Sequence, residues 1–412
     1  MVNLEKTMNE KALPASKKRK KGFLKRFTAK LRDAFTYSKQ GRIDMPFFIL
    51  VMVLLTIGLI MMFSASFVSA LYNTPNHDSF YYIKRQLIFA VFGFGGMILV
   101  SAIDYKLIRK LTVPLFLVTV GLLIFVRTQP PVDGVYRWID LGVFTIQPSE
   151  IAKFTIVAVL AHLIAKFPNR MNDMKFIGLL ALILGTFVGL LMLEKHLSGT
   201  VLIFAIGLCV MYAGGLWSKH KWALPVLIIF GLVVLGVMVF LIYKFPSINE
   251  HAFVRIKALF DKDYDPLGAR WQTNNSLYAI GSGGLLGSGL GQSMQKYLYV
   301  SEPQNDFVFA IVCEELGFVG AVLILGLFML LIIRGFMIVT RAKNTYASLL
   351  VLGIVVQLGI QVILNVAVVS DLIPNTGISL PFFSYGGTSI LMLLLEMGVV
   401  LSVSRTARME KI

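Results

Sequence analysis

Apolar residues run along this chain in blocks of about 20, close to the length a bilayer core demands of a helix. Ten such blocks predict ten spans, at about 46–72, 82–103, 107–126, 148–166, 174–193, 198–217, 222–244, 305–334, 345–370 and 378–403. The polar stretches between them are short except for one insertion, 245–304, between spans seven and eight. From Pro303 to Arg334 the pattern shows no helix breaker. A continuous helix there would be about 45 Å long against a hydrocarbon core of about 30 Å. That length sets Glu314 and Glu315 near the hydrocarbon boundary and Asp306 about 12 Å beyond it, among the headgroups. The pattern therefore predicts an all-α polytopic membrane protein.

Composition agrees: 57% of the 412 residues are hydrophobic and 15% charged. The formal charge of +17 would suggest a nucleic-acid partner if it were spread over a folded surface. Instead residues 1–44 hold 13 Lys/Arg against 4 Asp/Glu, a block that reads as a cytoplasmic tail facing anionic lipid, with no nucleic acid implied. Phe23, Leu24, Phe27, Leu31 and Phe35 within it have near-helical spacing, which fits either an interfacial amphipathic helix or a disordered tail. The short loops decide orientation. Arg109, Lys110, Lys166, Arg170, Lys219, Lys221, Arg341, Lys343 and Arg405 gather on the side of the N-terminus. Both termini are thus expected in the cytoplasm, with 245–304 outside. The chain divides into the tail 1–44, a membrane domain 45–405 and a short tail 406–412. Cys209 and Cys313 lie inside apolar blocks, so no disulfide framework is expected. Span one starts without a small-residue cleavage pattern and reads as retained.

Four polar interruptions carry candidate chemistry. In GVYRWIDLGVFTIQPSEIAK, Pro148 suits the first position of span four, and Glu150 and Lys153 share a helix face. The pair is either a self-compensating ion pair or part of a polar cavity, where Lys153 and Arg137 could hold an anionic headgroup. LEKHLSGT, residues 193–200, is either a tight outer turn or a second wall of that cavity. The glycine-rich AIGSGGLLGSGLGQS lies outside with no preceding strand, which removes a dinucleotide reading and leaves a hinge or a close-approach loop for phosphate oxygens. Beyond it Glu302, Asp306, Glu314 and Glu315 form an acidic group larger than helix capping requires. Such a group suits a general base, or a Mg²⁺ or Mn²⁺ held by Asp306 and Glu302 against a pyrophosphate. Finally Pro374, Gly377 and Pro381 interrupt the chain before span ten, and Ser384 and Tyr385 fall in irregular backbone at membrane depth.

Three of these segments, RWIDLGVFTIQPSEIAK, SLYAIGSGGLLGSGLGQSMQKYLYVSEPQNDFVFAIVCEELG and PNTGISLPFFSYGGTS, resemble the SEDS family (shape, elongation, division and sporulation) in sequence, order and topology. The similarity covers most of 46–405 and leans to the division and sporulation branches. It implies about ten membrane helices and polymerisation of lipid II into glycan strands beside a class B penicillin-binding protein and other divisome membrane proteins, at the division septum. By the same resemblance Asp306 is the catalytic acid, and Glu150 and Lys153 match the family's Q-P-S-E-x-x-K motif. The candidate substrate contacts are then Arg137, Glu150, Lys153, Arg255, Lys296, Glu302, Ser384 and Tyr385. LEKHLSGT departs from the commoner Q-P-D-L-G-T. A lipid II flippase needs a polar path through the whole bilayer, whereas the buried charges legible here gather in the outer half. A scaffold for the penicillin-binding partner leaves Glu150, Lys153 and Asp306 without a task.

Overall fold

In the computed structural model, Asp44 begins the membrane domain by three contacts at once. Its side chain caps the first helix by accepting from Phe47 N at 3.0 Å, its carboxylate takes Arg334 Nε at 2.9 Å, and its amide donates to Ser404 Oγ at 3.1 Å. The start of the first span and the end of the last therefore meet at one end of the bundle. The structure describes residues 41–407 apart from 75–76, 132–134, 143–144, most of 217–249, 262–263, 266–267, 269 and 376. The basic tail expected over 1–44, apart from its last four residues, and nearly all of the seventh span expected over 222–244 lie outside the described residues.

Among the described residues nine helices are long and apolar enough to cross a membrane. They are α1 (Met45–Asn73), α2 (Tyr81–Ala102), α3 (Lys106–Phe125), α4 (Pro148–Lys166), α5 (Met174–Leu193), α6 (Leu197–Met211), α9 (Val308–Arg341), α10 (Thr345–Val369) and α11 (Gly387–Ser404). Two shorter helices, α7 (Glu250–Phe260) and α8 (Trp271–Ser282), belong to the long insertion. Span starts follow local chemistry: Pro148 opens α4 as expected, Asp173 accepts from Lys175 N ahead of α5, and Asn344 accepts from Ala347 N ahead of α10. α4 and α10 are the inner helices, with Ile156, Val157, Ala158, Leu160 and Ala161 of α4 fully buried. By contrast α2 and α3 turn Val91, Phe92, Val113 and Leu117 outward, where lipid would meet them. A two-residue hairpin between α3 and α4 pairs Ile139 with Ile146 and Asp140 with Thr145.

Two expected spans are corrected. Span ten begins at Gly387, not near 378, because Pro381 lacks an amide donor and Phe382 takes φ +66°; the preceding turn closes instead on Ser384 Oγ, which accepts from Leu380 N at 2.7 Å. Span eight starts only at Val308 and is broken at Gly317, with φ 66° and ψ −170°. No breaker was legible there because a lone glycine is tolerated in a helix, and a tertiary contact decides its conformation.

That contact is the glycine-rich loop. Ser288 N and Gly289 N donate to the carbonyls of Glu314 and Glu315, while Phe318 N and Val319 N donate to Gly284 O and Leu285 O. The loop is neither a free hinge nor a phosphate cradle, since these amides satisfy the backbone that the break in α9 exposes. Gly287, at φ +80°, lies so close that a Cβ would collide with the Glu315 carbonyl. Gly287→Ala adds both a left-handed strain and that clash, so we expect a loss of about 2–3 kcal/mol of stability. A thermal-shift measurement in detergent reads it as a lowered Tm, and an unchanged Tm would refute the interlock.

Glu314 and Glu315 are consequently not an exposed acidic group above the membrane. Both are buried. Glu314 accepts from Ser293 Oγ and Met294 N, and Glu315 from Ser64 Oγ at 2.7 Å and Lys296 Nζ at 3.0 Å.

Candidate active site

At the end of the bundle opposite Asp44, a cavity of about 830 Å³ opens among α2, the β hairpin, α4, the α5–α6 turn, the segment before α9 and the segment before α11. Asp306, Glu302, Arg137, Glu150, Lys153 and Tyr385 line it, together with Arg85, His196 and Gln361.

Asp306 owes its position to backbone anchors. Asn365 Nδ2, from the inner helix α10, donates to Asp306 O at 2.8 Å and to Ile378 O at 2.7 Å, tying the approach to α9 against the segment that precedes α11. The side chains converge at Gly377, where a Cβ would stand 3.2 Å from Asp306 Oδ2 and 3.5 Å from Arg137 Nη1. A carboxylate and a guanidinium brought from residues 169 positions apart in sequence thus share one wall. Burial raises the Asp306 pKa to about 6 against the pull of Arg137 and Arg255, with Glu302 adding to the rise. A carboxylate in that range can accept a proton near neutral pH.

Glu150 and Lys153 form an ion pair of 2.8 Å on the first turns of α4, and both are largely withdrawn from solvent. Below them, Glu396 in the middle of α11 accepts from Gln357 Nε2 at 2.9 Å, and Lys153 and Glu150 act on it electrostatically. Glu396 is a mid-span acid that the sequence reading missed, although one Glu inside LMLLLEMGVVL was its visible signal. Gln357, Gln361 and Asn365, four apart on α10, form a polar stripe from Glu396 to Asp306, and that spacing too was legible. Arg85, near the start of α2, lines the cavity and stacks its guanidinium over Tyr81 at 4.4 Å.

Three proposed contacts stand elsewhere. The Lys296 ammonium is buried and engaged by Glu315, the Gly291 carbonyl and Ser64. Ser384 is buried in its own turn, and its carbonyl accepts from Gln86 Nε2 at 3.2 Å. Arg255 lines a neighbouring crevice with Arg270, Asp371 and Asn375, and acts on Asp306 through its charge. Tyr385 stays at the rim, packed edge-on to Tyr82 at 4.9 Å. At the α5–α6 turn and the start of α6, His196, Ser198 and Gly199 line the cavity, while Glu194 sits behind them, 0% exposed and with no hydrogen-bond partner for either oxygen among the described residues. Burial pushes the Glu194 carboxyl up to about 8, so at neutral pH it is mostly protonated. Among the described residues no group of three or more His, Cys, Asp or Glu is arranged to hold a metal ion.

Known proteins are similar to this chain over most of its length. The FtsW/RodA/SpoVE family, described as Cell cycle protein, matches residues 45–409. Stage V sporulation protein E of Bacillus subtilis is 39% identical over 380 residues, 90% of this chain and 99% of its own. The Trichlorobacter lovleyi protein named "Probable peptidoglycan glycosyltransferase FtsW" is 36% identical over 366 residues, 88% of this chain and 93% of its own. Among solved structures, the rod shape determining protein RodA of Thermus thermophilus is 27% identical with a TM-score of 0.64, over 89% of this chain and 98% of its own. A chain of a peptidoglycan synthase complex that coordinates polymerization and crosslinking is 26% identical with a TM-score of 0.71, over 89% of this chain and 99% of its own. With nearly the whole membrane domain matched in sequence and in fold, this chain is a multi-pass membrane protein of the FtsW/RodA/SpoVE family, the SEDS family whose motifs it carries.

Proposed function

We propose that this protein is a peptidoglycan glycosyltransferase that polymerises lipid II at the outer face of the cell membrane. The observation that carries the reading is the convergence of the Asp306 carboxylate and the Arg137 guanidinium at Gly377, inside a cavity that also holds Lys153 and Arg85. Asp306 takes the proton from the acceptor sugar hydroxyl, whose oxygen forms the new bond to the anomeric carbon of the donor as the bond to the polyprenyl diphosphate breaks. The departing diphosphate gains charge, and Arg137, Lys153 and Arg85 compensate it in a partly dry site, where fixed charges act more strongly than in water. Glu150 holds Lys153 in place. Hard divalent cations bind through one or two carboxylates plus substrate phosphates, so a Mg²⁺ or Mn²⁺ would be held by Asp306 and Glu302 together with the substrate and would supply charge neutralisation.

The names of the relatives support this activity, the synthase complex that coordinates polymerization and crosslinking supports assembly with a crosslinking partner of the class B penicillin-binding kind, and the family's description as Cell cycle protein is the ground for proposing action at the septum. The test is polymerisation of lipid II by the purified protein with its cognate partner, with glycan length resolved on a gel. Polymer without added glycosyltransferase is the expected result. No polymer from a well-folded complex would end the reading. Glu396, a mid-span acid under Lys153, favours a second reading as a lipid II flippase. Transport of lipid II in liposomes without polymer would select it.

A further inference from the structure

The reaction above leaves His196 without a task, yet the fold builds a place for it. It caps the start of α6, is 6% exposed, and its ring lines the cavity. Its Nδ1 is buried with no hydrogen-bond partner among the described residues. The ring is held rather than free to swing. It lies against Gly199, where a Cβ would come within 2.8 Å of the ring. The turn that carries it is pinned by His196 N to Leu191 O at 3.0 Å and by Thr200, whose amide and hydroxyl both donate to His196 O. Nε2, unlike Nδ1, is not enclosed, so the immobilised ring meets the cavity through that nitrogen, where a ligand can complete it.

The surroundings decide which part of the ligand. Burial, Arg137 and Lys153 together hold the His196 pKa well below its ordinary value, so the ring is neutral. A neutral imidazole brings no net charge to the compensation of a diphosphate, which Arg137 and Lys153 already supply. Its accessible nitrogen donates or accepts according to the tautomer, which suits hydroxyl and amide groups that themselves both donate and accept. We propose that His196 is the saccharide contact of this cavity, hydrogen-bonding an uncharged group of the sugar next to the diphosphate. This assignment rests on the reading of the cavity as a site for a lipid-linked sugar.

The experiment compares binding of two ligands to the full-length protein in nanodiscs: lipid II, and the same polyprenyl diphosphate carrying no sugar. For His196→Ala we expect about tenfold weaker binding of lipid II and unchanged binding of the sugar-free lipid, the scale of one lost hydrogen bond. His196→Gln, which keeps a donor and an acceptor, should stay within about threefold of wild type for both. Lys153→Met should weaken both. Equal weakening of the two ligands by His196→Ala, including loss of both through misfolding, makes the ring structural and overturns the assignment. No weakening of either overturns it as well. Wild-type protein that prefers lipid II yet forms no polymer with its partner would remove the polymerase reading and leave His196 as the sugar contact.

Discussion

Asp306→Asn is expected to lower lipid II polymerisation by about 10³-fold while the protein folds and binds its partner, since a positioned general base contributes about 10²–10⁴-fold. Asparagine keeps the shape and loses the proton acceptor. Because Asn365 fixes the main chain of Asp306 at 2.8 Å, Asp306→Glu pushes the carboxylate outward by roughly one bond, and a displacement of about 1 Å costs about 10²-fold. Only the carboxylate form can take the proton, so kcat/KM for the wild type should rise with pH through about 6 and level above it. The sign for stability is the reverse. A carboxyl whose native pKa is raised binds more protons folded than unfolded, so folding stability falls as pH rises from the ordinary range through about 6. Asp306→Asn removes that penalty, and its Tm at neutral pH should equal or exceed that of the wild type. A variant with lowered Tm and proportionately lowered activity would assign Asp306 to the fold instead.

The sequence pattern located the membrane helices well because each must satisfy its own backbone in lipid, which makes span length and charge placement legible. It also picked out Asp306, Arg137, Glu150 and Lys153, which all line the cavity, because charges in or beside the outer loops stand out against apolar neighbours. What it missed was decided by contacts between distant segments. Gly317 breaks α9 because residues 284–289 supply the missing hydrogen bonds, a pairing no local window contains. Glu314, Glu315 and Lys296 looked like active-site charges and are instead spent on one another and on the loop. His196 and Glu194 share one turn, and only packing sets the ring in the cavity and the carboxyl behind it.

This interlock also connects fold to chemistry. The loop docks on the buried first segment of α9, residues 308–316, and that segment follows Asp306 directly. Loosening the loop therefore frees the chain beside the proposed base, so activity in Gly287→Ala should fall along with stability.

Lys153→Met is expected to lower polymerisation by about 10²-fold or more and to lower Tm as well, and the two losses can be separated. The ammonium stands 2.8 Å from Glu150, with both side chains mostly buried. Removing one partner of such a pair leaves a charge withdrawn from water without compensation, a cost of about 3–5 kcal/mol for fully buried pairs and less where Glu150 retains some exposure. Glu396 below adds a second acid on which the same ammonium acts, so methionine withdraws that cation from both. The double variant Glu150→Gln/Lys153→Met removes the nearer of them, and its Tm should recover toward the wild type. Its activity should not recover, because removal of a charge aimed at the developing diphosphate costs about 10²–10³-fold whatever happens to the fold. If the double variant regained polymerisation together with stability, the pair would be a structural staple of α4, and the burden of leaving-group compensation would pass to Arg137 and Arg85.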